Sequence, residues 1–298
     1  PDRNPSPGTG CRTMTDTRTR ECPAKVNLFL RVLAREADGF HGIETLFCRI
    51  GLSDTLQVTR TDAGIALSVD GAEFGAPEDN LAWRAADAVL AATGRHFGVA
   101  MHIVKRVPVG GGLGGGSSDA AGALLAVNQL ANNAVPKAEL LHLAGRLGAD
   151  VPFFMLEAGC ALAWGHGHRM LRLPPLPPMP VLLLVPGVAV STPEAYRWID
   201  EIRQSGGPRG SVALDLDVLH NWSDVARLAG NDFEAAVFGR YPAIRAGFEA
   251  LARTSPMLCR MSGSGSALFA VYRNERDRDD AAMQLGSKYG SVIQSQTL

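Results

Sequence analysis

Apolar and polar positions alternate with a period near two over 25–33, 45–50, 55–59 and 65–69, which predicts four strands at the start of the ordered chain. Between the first two, 37–40 reads as a turn. The pattern then changes to helical spacing. Asn80 is a suitable N-cap for a helix over 81–93, stopped by Gly94. A strand over 99–104 follows. After a glycine run, Ser117 is expected to cap an Ala-rich helix reaching about 131, and Pro136 to open a helix over 137–147 closed by Gly148. Further on come an apolar strand over 181–185, a helix from near Thr192, helical stretches across 211–253, and two strands, near 257–261 and over 267–272, flanking the loop 262–266. Strands and helices mix without strict alternation, so the expected fold class is α+β rather than a doubly wound sheet.

Two segments stand outside this pattern. Residues 1–22 are rich in Pro, Thr, Arg and Gly with no apolar period; they read as a disordered leader, with Met14 a candidate start and ordered structure from Ala24. The segment 174–180 is dense in proline, a stiff connector of the kind that marks a boundary.

Composition narrows the functions on offer. With 29 Lys and Arg against 30 Asp and Glu, the net charge of −1 excludes the basic excess of a non-specific nucleic-acid binder. Five cysteines, an odd number without CxxC spacing, argue against a disulfide framework or zinc knuckle and fit a reducing, cytoplasmic setting. His166 and His168 read as surface imidazoles on a glycine-rich bend. The apolar run 181–185 is broken by Pro186 and Gly187, too short for a membrane span.

The densest chemical signal runs from Pro108 and Val109 through Gly110, Gly111, Gly112, Leu113, Gly114, Gly115 and Gly116 to Ser117 and Ser118. Six glycines in seven positions, between a strand and a helix, allow close backbone approach, and successive amides there form an anion nest at a helix N-terminus. No Lys follows Gly116, so this is not a Walker A loop. The acidic strand end that a dinucleotide fold requires is missing, as are kinase HRD and DFG motifs and a Gly-x-Ser-x-Gly elbow. Asp150, just past Gly148 in an apolar stretch, is either a structural cap or a buried base. Lys25 is unusual as a lone lysine in an apolar strand, where the bland alternative is a snorkelling edge residue.

The two glycine triplets around Leu113 resemble the phosphate-binding motif of the GHMP kinases. Pro23-Ala-Lys-Val-Asn-Leu-Phe-Leu30 is similar to that family's N-terminal motif, and Ser262-Gly-Ser-Gly-Ser-Ala-Leu-Phe269 to its C-terminal glycine loop. The 37–41 segment and Leu147-Gly-Ala-Asp-Val-Pro-Phe153 resemble the branch acting on a cytidine diphosphate-linked alcohol in non-mevalonate isoprenoid precursor synthesis. A mevalonate or homoserine kinase, or a non-catalytic nucleotide-binding relative, is the alternative.

The resemblance implies a two-domain α+β fold, with an N-terminal domain over 23–160, a C-terminal domain over 161–298 and the active site in the cleft between them. It implies ATP and Mg2+, the metal's protein ligands not being readable, and a monomer or weak homodimer. Asp150 would act as base with Lys25 steering the γ-phosphate. ATP would be held by the glycine run from Pro108 to Ser118 with Asn80-Leu81 and Lys105-Arg106, and its phosphates closed over by Gly263, Ser264 and Gly265. The alcohol would meet Asn27, Phe40, His41, Thr192 and Tyr196, with Phe40 and Tyr196 sandwiching the cytosine and His41 reading its edge. Phe40 stands where that branch commonly carries Tyr, keeping the ring without the hydroxyl.

Overall fold

A computed structural model describes residues 16–37, 39–71, 75–204 and 215–298. Strands β1 (Thr17–Arg35) and β2 (His41–Thr61) form a long antiparallel hairpin. The two strands expected over 45–50 and 55–59 are thus one, because pairing with β1 carries the chain through the polar segment between them. The far half of β2 pairs with β4 (Gly98–Val104), and β4 pairs in parallel with β3 (Ile65–Asp70) across helix α1 (Leu81–Ala92). The near half pairs with β5 (Cys160–Gly165), which pairs with β6 (Arg169–Leu173). His166 and His168 sit on the bend between these two strands, as expected.

Helices α2 (Gly115–Leu130), α3 (Lys137–Leu147) and the short α4 (Val151–Met155) cover this sheet with α1. Alanines 120, 121, 123 and 126 on α2 are buried, and their small side chains let it lie close to the sheet and α1. A second, antiparallel sheet has the order β10 (Ser291–Gln296), β7 (Pro180–Val185), β9 (Leu268–Val271), β8 (Leu258–Met261). Helices α5 (Thr192–Gln204), α7 (Phe233–Arg240), α8 (Pro242–Ala252) and α9 (Glu275–Leu285) pack on it, and α6 (Trp222–Leu228) lies against the core shared with β1. That shared core joins Val26 and Leu28 of β1 and Leu113 of the glycine loop to Leu183 and Phe269 of the second sheet. Among the described residues no helix is long and apolar enough to cross a membrane.

Three expectations are corrected here. The leader cannot extend to residue 22: Thr17–Cys22 pairs with 54–59 of β2, and Cys22 is buried beside α2. A run of Thr, Arg and Glu lacks an apolar signal yet serves where only one face is covered. Residues 1–15, with Met14, lie outside the described residues, as do 211–214 of the expected helical stretch. A break at 160/161 would sever β5 and β6 from the sheet they complete; the passage to the second sheet is the proline segment 174–180. Finally, α2 begins at Gly115, not at a Ser117 cap: Gly114 takes a left-handed φ of 73° and turns the chain into the helix without a side-chain cap.

Candidate active site

Lys25 lies on β1 with its side chain 4% exposed, and its ammonium needs partners there. It donates to Asn27 Oδ1 at 2.8 Å and lies 3.4 Å from Asp150 Oδ2. Asp150 precedes α4, but its carboxylate makes no cap hydrogen bond, so it is left facing Lys25 and the cleft. Its side chain is 31% exposed, open enough to meet a ligand. The two charged side chains thus meet at the cleft, Lys25 buried on β1 and Asp150 not engaged as a cap. Asn27 is held by donation to Thr45 Oγ1 at 2.8 Å, and Thr45 in turn donates to Phe29 O.

The glycine run forms one wall of a cleft of about 420 Å³, lined along 107–117 and by Asn80, Leu81, Lys105, Asp119 and Asp150. The backbone amide of Lys25 donates to Leu113 O at 2.9 Å, which fixes the loop above the Lys25–Asp150 pair. The second glycine loop closes on the first: Ser262 Oγ donates to Gly112 O at 2.9 Å, Ala267 N to Gly111 O, and Gly263 N to Asn27 Oδ1. Ser264 Oγ lies 2.7 Å from Thr192 Oγ1 at the start of α5. Elements from both sheets thus converge on one set of backbone amides and one Lys–Asp pair.

Lys105 is buried between two carboxylates, donating to Asp54 and, at 2.8 Å, to Asp119. Asp54 also accepts the amides of Arg106 and Val107. Burial pushes the Asp119 carboxyl up to about 6 against the pull of Lys105, with Asp54 adding to the rise. Burial alone would lower Lys105, but the two carboxylates outweigh it and raise its pKa. Sequence reasoning missed Asp54 and Asp119; an acid immediately after the serines of the loop was the available signal. Arg106 is not part of the cleft's lining, and its guanidinium donates to Thr55 Oγ1 at 3.1 Å. Asn80 lines the cleft but also caps α1, accepting from Ala82 N.

Of the residues expected around the cytosine, Phe40, His41 and Tyr196 are placed as follows. Phe40 is 66% exposed and tilts against His166. His41 instead lies on Tyr196, ring centroids 5.1 Å apart and nearly parallel, because Asp200 on α5 holds His41 Nε2 at 2.7 Å. Phe233 meets Tyr196 edge-on. Burial, with the charge of Asp150, pushes the Tyr196 phenol up to about 12, which keeps it protonated.

Comparison with known proteins places the chain in a family. Residues 80–158 match the GHMP kinases N terminal domain and residues 212–291 the GHMP kinases C terminal domain. The 4-diphosphocytidyl-2-C-methyl-D-erythritol kinase of Solibacter usitatus is 41% identical over 84% of this chain and 80% of its own. That of Chlorobaculum tepidum is 38% identical over 89% and 93%. A solved 4-(cytidine 5'-diphospho)-2C-methyl-D-erythritol kinase superposes with a TM-score of 0.80 at 36% identity, covering 94% of this chain and 99% of that one. Homoserine kinase from Cytophaga hutchinsonii, at 19% identity and a TM-score of 0.69 over 98% and 97% of the two chains, shares the fold. With both family domains matched and such relatives aligned over most of its length, this chain belongs to the GHMP kinases, a family of phosphotransferases.

Proposed function

We propose that this protein transfers the γ-phosphoryl group of ATP to the 2-hydroxyl of 4-diphosphocytidyl-2-C-methyl-D-erythritol. The observation that carries the reading is the Lys25–Asp150 pair at 3.4 Å, beneath a double glycine loop and in a chain 41% identical to a kinase of that name. Phosphoryl transfer asks for positioning, charge neutralisation and a group to receive the hydroxyl proton. The glycine amides and the N-terminus of α2 meet the triphosphate. Lys25 offsets charge on the transferred phosphoryl, and Asp150 orients the hydroxyl and takes its proton.

Mg2+ fits the donor set. Ser118 Oγ, at the first turn of α2, is buried without a hydrogen-bond partner, and the remaining ligands would come from phosphate oxygens and water. The ion would neutralise charge on the phosphate oxygens.

For the alcohol, the stacked rings of His41 and Tyr196 would offer an outer aromatic face to a flat base, and the exposed ring of Phe40, next in sequence to His41, would add a second. A polar edge contact rejects a wrong base strongly, because its buried partner is left unpaired. Competition against the alcohol tests the assignment: cytidine diphosphate inhibits and uridine diphosphate does so much less. Equal inhibition by the two overturns the cytidine reading.

A further inference from the structure

The segment Asn231-Asp-Phe-Glu234 belongs to none of the three motifs that carry the family resemblance, yet it reaches the same framework from outside. Its backbone bridges to Leu30 on β1, with Leu30 N donating to Gly230 O and Asp232 N to Leu30 O. Asp232 Oδ2 accepts Val32 N at 2.6 Å, and Glu234 Oε1 accepts Met261 N at 2.9 Å. Asn231 is 7% exposed and uses its whole amide. Oδ1 accepts Phe233 N at 2.9 Å, while Nδ2 donates to Met261 O at 2.7 Å and Gly263 O at 2.8 Å.

The orientation of that amide is not free. Turned over, it would set its oxygen against two carbonyls and its nitrogen against an N–H, leaving buried polar groups unpaired. Gly263, in contrast, has no side chain of its own to orient it, so its backbone depends on its hydrogen bonds. It lies in a loop between β8 and β9 at a φ of 57°, and glycine occupies that region as readily as others. Its carbonyl is taken by Asn231, and its amide donates to Asn27 Oδ1, the same oxygen that receives Lys25 Nζ.

We infer that Asn231 is a positioning residue for phosphoryl transfer: by holding Gly263 O it sets the backbone at Gly263, whose amide braces the Asn27 oxygen that holds Lys25 against Asp150, while Thr45 anchors the other end of the Asn27 amide. The path is continuous, from Asn231 through the second glycine loop to the proposed base. The same hold keeps the second loop on Gly112. The kinetic part of this inference rests on the proposed kinase reading; the loop geometry does not.

The test compares Asn231→Ala and Asn231→Asp with Asn221→Ala. Asn221 caps α6 by accepting Asp224 N, so its loss destabilises the protein without touching the cleft. Two quantities are measured at a temperature where each variant is folded: amide hydrogen exchange at Gly263, and kcat with both KM values. In Asn231→Ala, Gly263 should exchange at least about tenfold faster. A displacement of about 1 Å at a reacting group costs up to about 10²-fold, so kcat should fall about 10- to 100-fold with the KM for the alcohol little changed. Asn231→Asp keeps the volume but faces an oxygen to the two carbonyls, and should behave like the alanine variant. Asn221→Ala should show neither effect. Wild-type exchange at Gly263, or wild-type kcat, in folded Asn231→Ala or Asn231→Asp overturns the inference. If Asn231→Ala does not fold, Asn231→Asp and Asn231→Ser are read by the same two criteria. A wild-type enzyme inactive on the cytidylyl alcohol refutes the substrate reading instead, and the exchange at Gly263 still decides this one.

Discussion

Replacing Gly112 by alanine probes the contact between the two glycine loops. A Cβ there would fall 2.2 Å from Ser262 O, 3.0 Å from the Ser262 carbonyl carbon and 3.3 Å from Gly265 O, all backbone atoms that cannot swing aside. Restoring ordinary contact moves the loops apart by roughly 1 Å. That separation breaks the bonds from Ser262 Oγ to Gly112 O and from Ala267 N to Gly111 O. Each lost bond is worth about 1 kcal/mol. The left-handed φ of 76° adds about 1–2 kcal/mol of strain for any residue with a Cβ. The total loss of stability is therefore about 3–4 kcal/mol. Gly110→Ala is the matched comparison, because its φ of 73° carries the same strain but nothing lies within 4 Å of its Cβ. Urea titration of both variants measures the contact as a difference of about 2 kcal/mol. The displacement should also lower kcat/KM for ATP in Gly112→Ala by about 10²-fold. Equal stability of the two variants, with kcat/KM for ATP unchanged in Gly112→Ala, would refute the claim that the second loop rests on the first.

Three further outcomes are expected. Asp150→Asn should lower kcat by about 10²–10⁴-fold with ADP affinity by calorimetry retained; a loss under threefold removes Asp150 from the role of base. Deleting residues 1–22 takes Thr17–Cys22 from β2 and Cys22 from the core, so the melting temperature should drop by several degrees, and an unchanged value contradicts the pairing. Glu234 has its pKa raised by burial, against the pull of Met261 N and Arg260. A carboxyl raised on folding gives stability that is present below its unfolded pKa and lost as pH rises through the folded one. Glu234→Gln should thus gain stability over wild type at pH 8 and little at pH 4 in urea titrations; a gain confined to low pH reverses the sign and the cause.

What the sequence disclosed depended on the kind of signal. The glycine run carries its chemistry in its composition, and Lys25 and Asp150 were conspicuous as charges in apolar surroundings. Helix α3 could be read from Pro136 and Gly148, because its ends are written in local chemistry. Strands β5, β6 and β10 were missed: 160–165 is apolar without alternation, while 291–296 is polar and half-exposed, and each is a strand only because a partner lies beside it. The neighbours of His41 were not legible for a related reason. Phe40 and His41 are adjacent, so their side chains diverge on leaving the turn, and only the fold reveals that Asp200 captures His41. Asn231 shows the same limit, since its role is defined by two carbonyls thirty and thirty-two residues away.

The most direct test of the account is the product. Wild-type protein, ATP and magnesium are incubated separately with 4-diphosphocytidyl-2-C-methyl-D-erythritol, mevalonate and homoserine, and each mixture is followed by phosphorus NMR. The account predicts ADP and a new phosphomonoester, on the 2-hydroxyl, with the cytidylyl alcohol alone. A phosphomonoester formed as readily on mevalonate or homoserine, or none on the cytidylyl alcohol, would contradict it.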